Sequence, residues 1–245
     1  NNLGVRTASV ERSSLNTTIT TVGYVQLNEE KISHIHPRVS GWVENLYVNT
    51  VGDKVSKGQP LYSLYSPELV NAQEEFLTVI NVGKSELINA AREKLRALRI
   101  SDSAITNLID TKQVKQTITY YAPHDGYING LKIRSGFYIN PGDTLMSIAQ
   151  LDSVWIDAEI FERDVAVIQE GLVANMTFDY LPGREWHGVV DYVYPTLNSK
   201  TRTLSARLMV DNPDHQLKPN MFAQVSKTEL CSHWVMAGLN RLKSL

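Results

Sequence analysis

The chain has 245 residues, with 24 Lys and Arg against 26 Asp and Glu and a formal net charge of −2. That balance leaves no basic footprint for nucleic acid, and no run approaches the roughly eighteen apolar residues of a spanning helix. One cysteine, Cys231, excludes an internal disulfide, and the absence of an opening Met and of a signal peptide is what a mature or trimmed chain would show.

Residues 5–33 look like N-terminal strands, and His34 and His36 follow two positions apart. On a strand those imidazoles face the same side and are a candidate pair of metal ligands, although two ligands do not make a site. The favoured reading is a pair of surface histidines near a strand end.

From Val39 to Ser66 the sequence reads VSGWVENLYVNTVGDKVSKGQPLYSLYS. Val43, Leu46 and Val48, then Val55, Leu61 and Leu64, alternate between glycines. This predicts short strands with one buried face and turns at the glycines.

The segment from Pro67 to about Lys112 changes period. Ser66 suits an N-cap, Pro67 the first helical position, and Glu68 the positive end of a helix dipole. Leu69, Ala72, Phe76 and Val79 or Ile80 recur at helical spacing until Asn81-Val82-Gly83 breaks the run. Ser85 and Glu86 open a second helix, in which Ile88, Ala91, Leu95 and Leu98 form a coiled-coil-like seam. Ser101 caps a third around Ile105, Leu108 and Ile109. Rising about 1.5 Å per residue, the two main helices reach only roughly 20–25 Å. Leu95 and Leu98 are expected between helices, with the turns at Asn81–Lys84 and Arg99–Asp102 exposed.

His124 to Gln150, HDGYINGLKIRSGFYINPGDTLMSIAQ, then repeats the earlier stretch. Gly41 falls on Gly126, Leu46 on Leu131, Val48 on Ile133, Gly52 on Gly136 after a one-residue gap, and Val55 on Ile139. Gly58, Leu61 and Leu64 fall on Gly142, Leu145 and Ile148. A repeat fixes architecture before any local motif, and two small meanders facing each other make a flattened β-sandwich. Asn140-Pro141-Gly142-Asp143 has the chemistry of a type II turn.

Beyond Leu151 alternation resumes at Val154, Ile156, Ala158 and Ile160, turning helical from about Glu162 to Gln169. Further strands parted by Pro182-Gly183, Asn198-Ser199 and Pro213-Asp214 indicate an antiparallel β-barrel of about six strands with one helix. In the tail, Glu229 to Leu245, the rough spacing of Trp234, Val235, Leu239 and Leu242 favours a short helix against the N-terminal strands over a membrane-binding helix.

GDKVSKGQPLYSL and INPGDTLMSIAQL resemble the half-motifs of lipoyl and biotinyl carrier domains. There a lysine at the hairpin joining the halves carries the cofactor. Here the helical segment replaces that hairpin, and Lys54 and Lys57 lie in an outer turn, so no modified lysine and no cofactor are expected. A split lipoyl-like sandwich with a helical hairpin in its middle resembles the periplasmic adaptor, or membrane fusion, subunits of tripartite efflux pumps. YSPELVNAQEEFL, Tyr65 to Leu77, is similar to the heavy-metal branch serving resistance-nodulation-division pumps. GVVDYVYPTLNSKTRT with the LKPNM of Leu217 to Met221 resembles the β-barrel domain of the adaptors, with Asn220 where the family has glycine. Asparagine best tolerates the left-handed backbone expected there.

The resemblance implies a mainly β fold with a helical insertion. Residues 34–66 and 113–150 would form the lipoyl-like domain, 67–112 the helical hairpin and 151–228 the barrel. Residues 1–33 would be membrane-proximal or barrel-joining strands, and 229–245 an atypical tail. It implies a non-enzymatic periplasmic protein of a Gram-negative bacterium, associated with the inner membrane. Its partners would be an inner-membrane transporter, an outer-membrane channel and further copies of itself, with heavy-metal cations as the cargo. A drug-efflux or secretion adaptor and, more distantly, a carrier domain are the alternatives.

The copper and silver adaptors bind metal through N-terminal methionines, whereas this chain has no Met before Met146, so no metal site is carried over. Met146, Met176, Met209 and Met221 occupy apolar strand positions that read as core. Asp53, Asp125 and Asp143 read as turn residues bonding local backbone. Catalysis would require Glu162, Asp164, His187 or Asp191 gathered in a pocket. No nucleotide or triad motif is present, and no catalytic residue is assigned.

Overall fold

The structure, a computed structural model, describes the backbone of residues 10–236 and side chains from 19 to 227. Two compact units emerge: Leu27–Leu151, and the barrel formed by the chain on either side of it. In chain order the elements are β1 (Val10–Leu27), β2 (Ile32–Ile35), β3 (Gly41–Leu46), β4 (Lys54–Val55) and β5 (Pro60–Tyr65). Helices α1 (Pro67–Val82), α2 (Ser85–Ala97) and α3 (Asp102–Thr111) follow, then β6 (Thr117–Tyr121), β7 (Gly126–Leu131), β8 (Tyr138–Ile139) and β9 (Met146–Ala149). The chain ends with β10 (Ser153–Phe161), β11 (Val173–Thr177), β12 (Trp186–Asn198), β13 (Thr203–Asp211) and β14 (Phe222–Met236).

The first unit is a sandwich of two four-stranded sheets, ordered β2-β9-β7-β4 and β6-β5-β3-β8. Each half of the repeat lends its shortest strand to the other half. Val55 pairs with Gly126, and the equivalent Ile139 pairs with Gly41. Gly52 N–H donates to Ile128 O (2.8 Å), and Gly136 N–H to Val43 O (2.7 Å). This reciprocal exchange is a pseudo-twofold, and it leaves neither half able to fold its sheet alone.

The glycines serve two purposes. Gly142, at φ 98°, takes the turn position predicted for it, and Asp143 N–H donates to Asn140 O at 3.1 Å. Gly41 and Gly126 do not mark turns, contrary to the sequence reading. A Cβ would lie 2.2 Å from Tyr65 O at Gly41 and 2.7 Å from Ala149 O at Gly126. Both are required by close approach of a paired strand.

Helix α1 begins at Pro67 and ends at Gly83, which takes the left-handed conformation (φ 76°) and donates to Ile80 O and Val79 O. Ser66 is the N-cap by backbone, yet its hydroxyl makes no capping bond and is buried without a partner, whereas Ser101 Oγ does accept from Ala104 N–H. Leu69, Ala72, Phe76, Ala91, Leu95, Ile105 and Leu108 are buried and extend the sandwich core into the helices. Gln73 fixes the return of the chain: its amide donates to Leu69 O (3.0 Å) and Lys115 O (2.9 Å) and accepts from Lys115 N–H (3.1 Å). The α1–α2 turn, Asn81–Lys84, is exposed as expected. The α2–α3 turn is not a second tip. Ile100 is buried there, Leu98 is half-buried, and Leu98 O accepts from the Tyr120 hydroxyl at 3.2 Å.

The second unit is a closed barrel, β1-β10-β13-β12-β11-β14. Residues after Leu151 supply five strands rather than six, and the sixth is β1. It pairs with β14 from Val10↔Met236 to Tyr24↔Phe222. Residues 10–27 thus form a barrel-joining strand, one of the two readings given for this stretch, and cover what would otherwise be open edges of β10 and β14. The same pairing corrects the tail. Residues 229–236 continue a strand instead of a helix, since an unbroken ladder outweighs a loose three-to-four spacing; residues 237–245, with Leu239 and Leu242, lie outside the described residues. The helix expected from Glu162 to Gln169 is a 3₁₀ helix over Glu162–Val167. Asn220 has φ 68°, the left-handed backbone its position predicts. Val154, Ile156, Ala158, Ile160, Leu208 and Val225 fill the barrel, leaving a void of about 20 Å³. That is room for a water, not for a ligand.

Candidate functional site

The residues weighed for chemistry are not brought together. Asp191 accepts from Arg207 at 2.6 Å, His187 Nδ1 lies 2.9 Å from Asn175 Oδ1, Asp164 pairs with Arg163 at 3.3 Å, and Glu162 borders an open recess. Asp191, His187 and Asp164 are each engaged with a different neighbour, and Glu162 stands apart from all three.

His34 and His36 are both exposed, their ring centroids 6.3 Å apart and tilted by 48°, and His36 Nδ1 is 3.0 Å from Asp143 O. No group of three or more His, Cys, Asp or Glu among the described residues is arranged to hold a metal ion. Met146 and Met176 are buried, Met221 is half-buried, and Met209 is 47 % exposed, on the outer face of the barrel instead of in the core.

Lys54 and Lys57 are exposed in the outer turn of the first half. The turn aspartates bond backbone, though not all locally. Asp53 accepts from Asn49 N–H, Thr50 N–H and Thr50 Oγ1, and Asp143 from Asn140 N–H. Asp125 instead accepts from Lys57 N–H at 2.8 Å, so it ties the second half of the repeat to the first. Bonds from the Thr50 hydroxyl, then from the Thr50 and Asn49 amides, hold the Asp53 carboxyl below its usual range.

Surfaces are where the molecule shows unassigned chemistry. On the outer face of one sandwich sheet, Trp42 sits between its strand partners Tyr138 and Tyr65, at 4.7 and 6.1 Å between ring centroids. Trp42 is 45 % and Tyr138 51 % exposed, an aromatic row with no cover among the described residues. On the barrel, Val173, Val189 and Met209 are cross-strand neighbours and all exposed. Sequence alternation alone could not find these rows, because register decides which apolar residues stand side by side. No helix among the described residues is long and apolar enough to cross a membrane.

Two family models match. Residues 32–149 fit the CusB barrel-sandwich hybrid domain, and residues 153–229 the CusB-like beta-barrel domain. The chain belongs to the CusB-like family. Cation efflux system protein CusB of Escherichia coli (strain K12) is 33 % identical over 228 residues, 91 % of this chain and 55 % of that protein. The putative membrane fusion protein SilB of Salmonella typhimurium is 33 % identical over 223 residues, 91 % of this chain and 52 % of that one. This CusB-like chain thus spans about half the length of these relatives. The crystal structure of ZneB from Cupriavidus metallidurans shares the fold, with a TM-score of 0.56 at 22 % identity over 88 % of this chain and 99 % of that one. Neither family match reaches β1, whose place in the CusB-like barrel comes from strand pairing alone.

Proposed function

We propose that this chain works as a periplasmic adaptor, linking an inner-membrane transporter of the resistance-nodulation-division class to an outer-membrane channel for export of heavy-metal cations. The observation that carries the reading is the order of parts. A sandwich split by a helical hairpin, followed by the strands of a barrel that β1 closes, is covered apart from β1 by two CusB-like family matches.

The role is associative. The barrel is filled, the candidate carboxylates and histidine are dispersed, and the sequence offers no nucleotide site, so the transporter supplies the energy. The exposed α1–α2 turn suits weak docking to a channel, repeated around a ring to gain affinity. Self-association is supported by the aromatic row of Tyr138, Trp42 and Tyr65, because aromatic side chains are enriched at the centres of protein interfaces. The CusB and SilB relatives support a place in the periplasm of a Gram-negative bacterium, and association with the inner membrane is part of the proposal.

The test is to replace Asn71–Asp110 in the native protein by a glycine-serine turn and to measure growth on graded copper, silver, zinc and cobalt. Tolerance should fall to that of a gene deletion, while the strand signal in circular dichroism persists. Loss of drug tolerance with intact metal tolerance would move the protein to drug efflux, and export equal to the parent would remove the bridging role.

A further inference from the structure

The sandwich unit holds a groove of about 890 Å³ bounded by the end of β2, the edge strand β6 and the α2–α3 turn. His34, His36, Arg38 and Arg99 all line it, and no Asp or Glu does. Neither guanidinium makes an ion pair or hydrogen bond among the described residues. The nearby carboxylates are engaged elsewhere: Asp102 with Arg96 at 2.8 Å, Asp143 with Asn140 N–H, and Asp125 with Lys57 N–H.

The backbone at Arg99 is itself unusual. It has φ 63°, a left-handed conformation that costs a bulky residue, and it is held there by bonds from Arg99 N–H to Arg96 O and from Ile100 N–H to Leu95 O. The floor contains a second oddity. Tyr62 is fully buried and stacks on Tyr120 at 5.0 Å and 12°, yet its hydroxyl has no partner, while that of Tyr120 donates to Leu98 O. The repeat supplies a control. The residue equivalent to Tyr62 is Met146, also buried, so the fold does not need a hydroxyl at this position.

Unpaired arginines beside the histidines repel a metal cation and attract an anion. The volume is within the range of small-molecule sites. We propose that this groove binds a small organic anion, whose phosphate or carboxylate group is held by Arg38 and Arg99 and whose flat apolar part lies on the open face of Tyr120. The site is independent of the adaptor role.

The test is calorimetry and amide-shift titration of the chain with phenyl phosphate in low salt, with benzoate and inorganic phosphate as comparators. Phenyl phosphate should saturate with Kd below about 1 mM, and inorganic phosphate should bind at least about tenfold more weakly. Arg38→Gln and Arg99→Gln should each weaken phenyl phosphate binding about tenfold, with Tyr62→Phe, whose hydroxyl is sealed beneath Tyr120, and Arg163→Gln on the barrel both nearly unchanged. Benzoate binding as tightly as phenyl phosphate assigns the site to carboxylates within the same proposal. Weaker or non-saturating binding, or equal loss in Arg163→Gln, overturns it. So does zinc or cuprous ion binding below 1 mM that His34→Ala or His36→Ala abolishes.

Discussion

The two halves of the sandwich share a backbone plan and differ in what they show to solvent. Tyr138, Trp42 and Tyr65 cross the outer face of one sheet, and their repeat equivalents Lys54, Tyr127 and Ala149 cross the other in the same pairing. Trp42 and Tyr138 are about half exposed, whereas Tyr127 is half-buried and Ala149 is 2 % exposed. The second face is partly covered within the fold while the first is left open, so the aromatic row stands without cover among the described residues. What the symmetry does not require is where a partner is to be sought.

Breaking the shared plan should have the largest effect. Gly41→Ala places a Cβ 2.2 Å from Tyr65 O, a backbone atom that cannot rotate away, and Gly126→Ala places one 2.7 Å from Ala149 O. We expect losses of about 3 kcal/mol for the first and about 2 kcal/mol for the second, read from urea unfolding midpoints. If either alanine is tolerated within about 0.5 kcal/mol, close approach is not why those glycines are there.

Next in size is the difference between the faces. Trp42→Ala should leave the urea midpoint nearly unchanged but weaken self-association of the native protein about tenfold or more, while Tyr127→Ala should leave association unchanged. Analytical ultracentrifugation separates the two. Equal effects from both variants would mean that the aromatic row has no special part in assembly.

The sandwich was legible from sequence because its signal is redundant: two copies of one glycine and hydrophobic pattern report the same turns and strands. The helices were legible from Pro67, Gly83 and the period of Leu69, Ala72 and Phe76. The barrel closure was legible only as one of two readings for residues 1–33, because β1 is a Thr-rich alternation of low hydrophobicity and its partner lies at the far end of the chain. Met209 was misread for a related reason: an apolar residue on a barrel strand faces inward or outward according to register, which composition does not give. The groove was illegible except for His34 and His36, because Arg38, Tyr62 and Arg99 come from three separated segments and are joined only by the return of α3 to β6.

A smaller effect is expected where the halves differ inside the core. Tyr62 carries a buried hydroxyl without a partner, and Met146 at the equivalent position carries none. Tyr62→Phe should therefore raise stability by about 1 kcal/mol, the relief of an unsatisfied buried donor. A lower urea midpoint would show that the hydroxyl has a partner in solution.

The smallest expected effect is a pH dependence confined to one half. The first-half turn is closed by Asp53, whose carboxylate accepts from Asn49 N–H, Thr50 N–H and the Thr50 hydroxyl, whereas the equivalent position in the second half is Phe137, with its amide bonded to Arg134 O. Those bonds favour the charged form and lower the Asp53 pKa below its ordinary 3.8, the Thr50 hydroxyl contributing most. A group whose folded pKa is depressed contributes stability above its unfolded pKa and loses it as pH falls through the folded one. Between pH 5 and pH 2.5 the amides of Asn49 and Thr50 should thus lose protection from hydrogen exchange, corrected for intrinsic rate, while Phe137 keeps its own. In Asp53→Asn the first turn should show no such pH step. Because Asp53 sits half-buried in a surface turn, the change should be local and leave the global unfolding midpoint almost where it was. Parallel loss of protection at Phe137 would assign the effect to general acid unfolding of the sandwich rather than to this carboxylate.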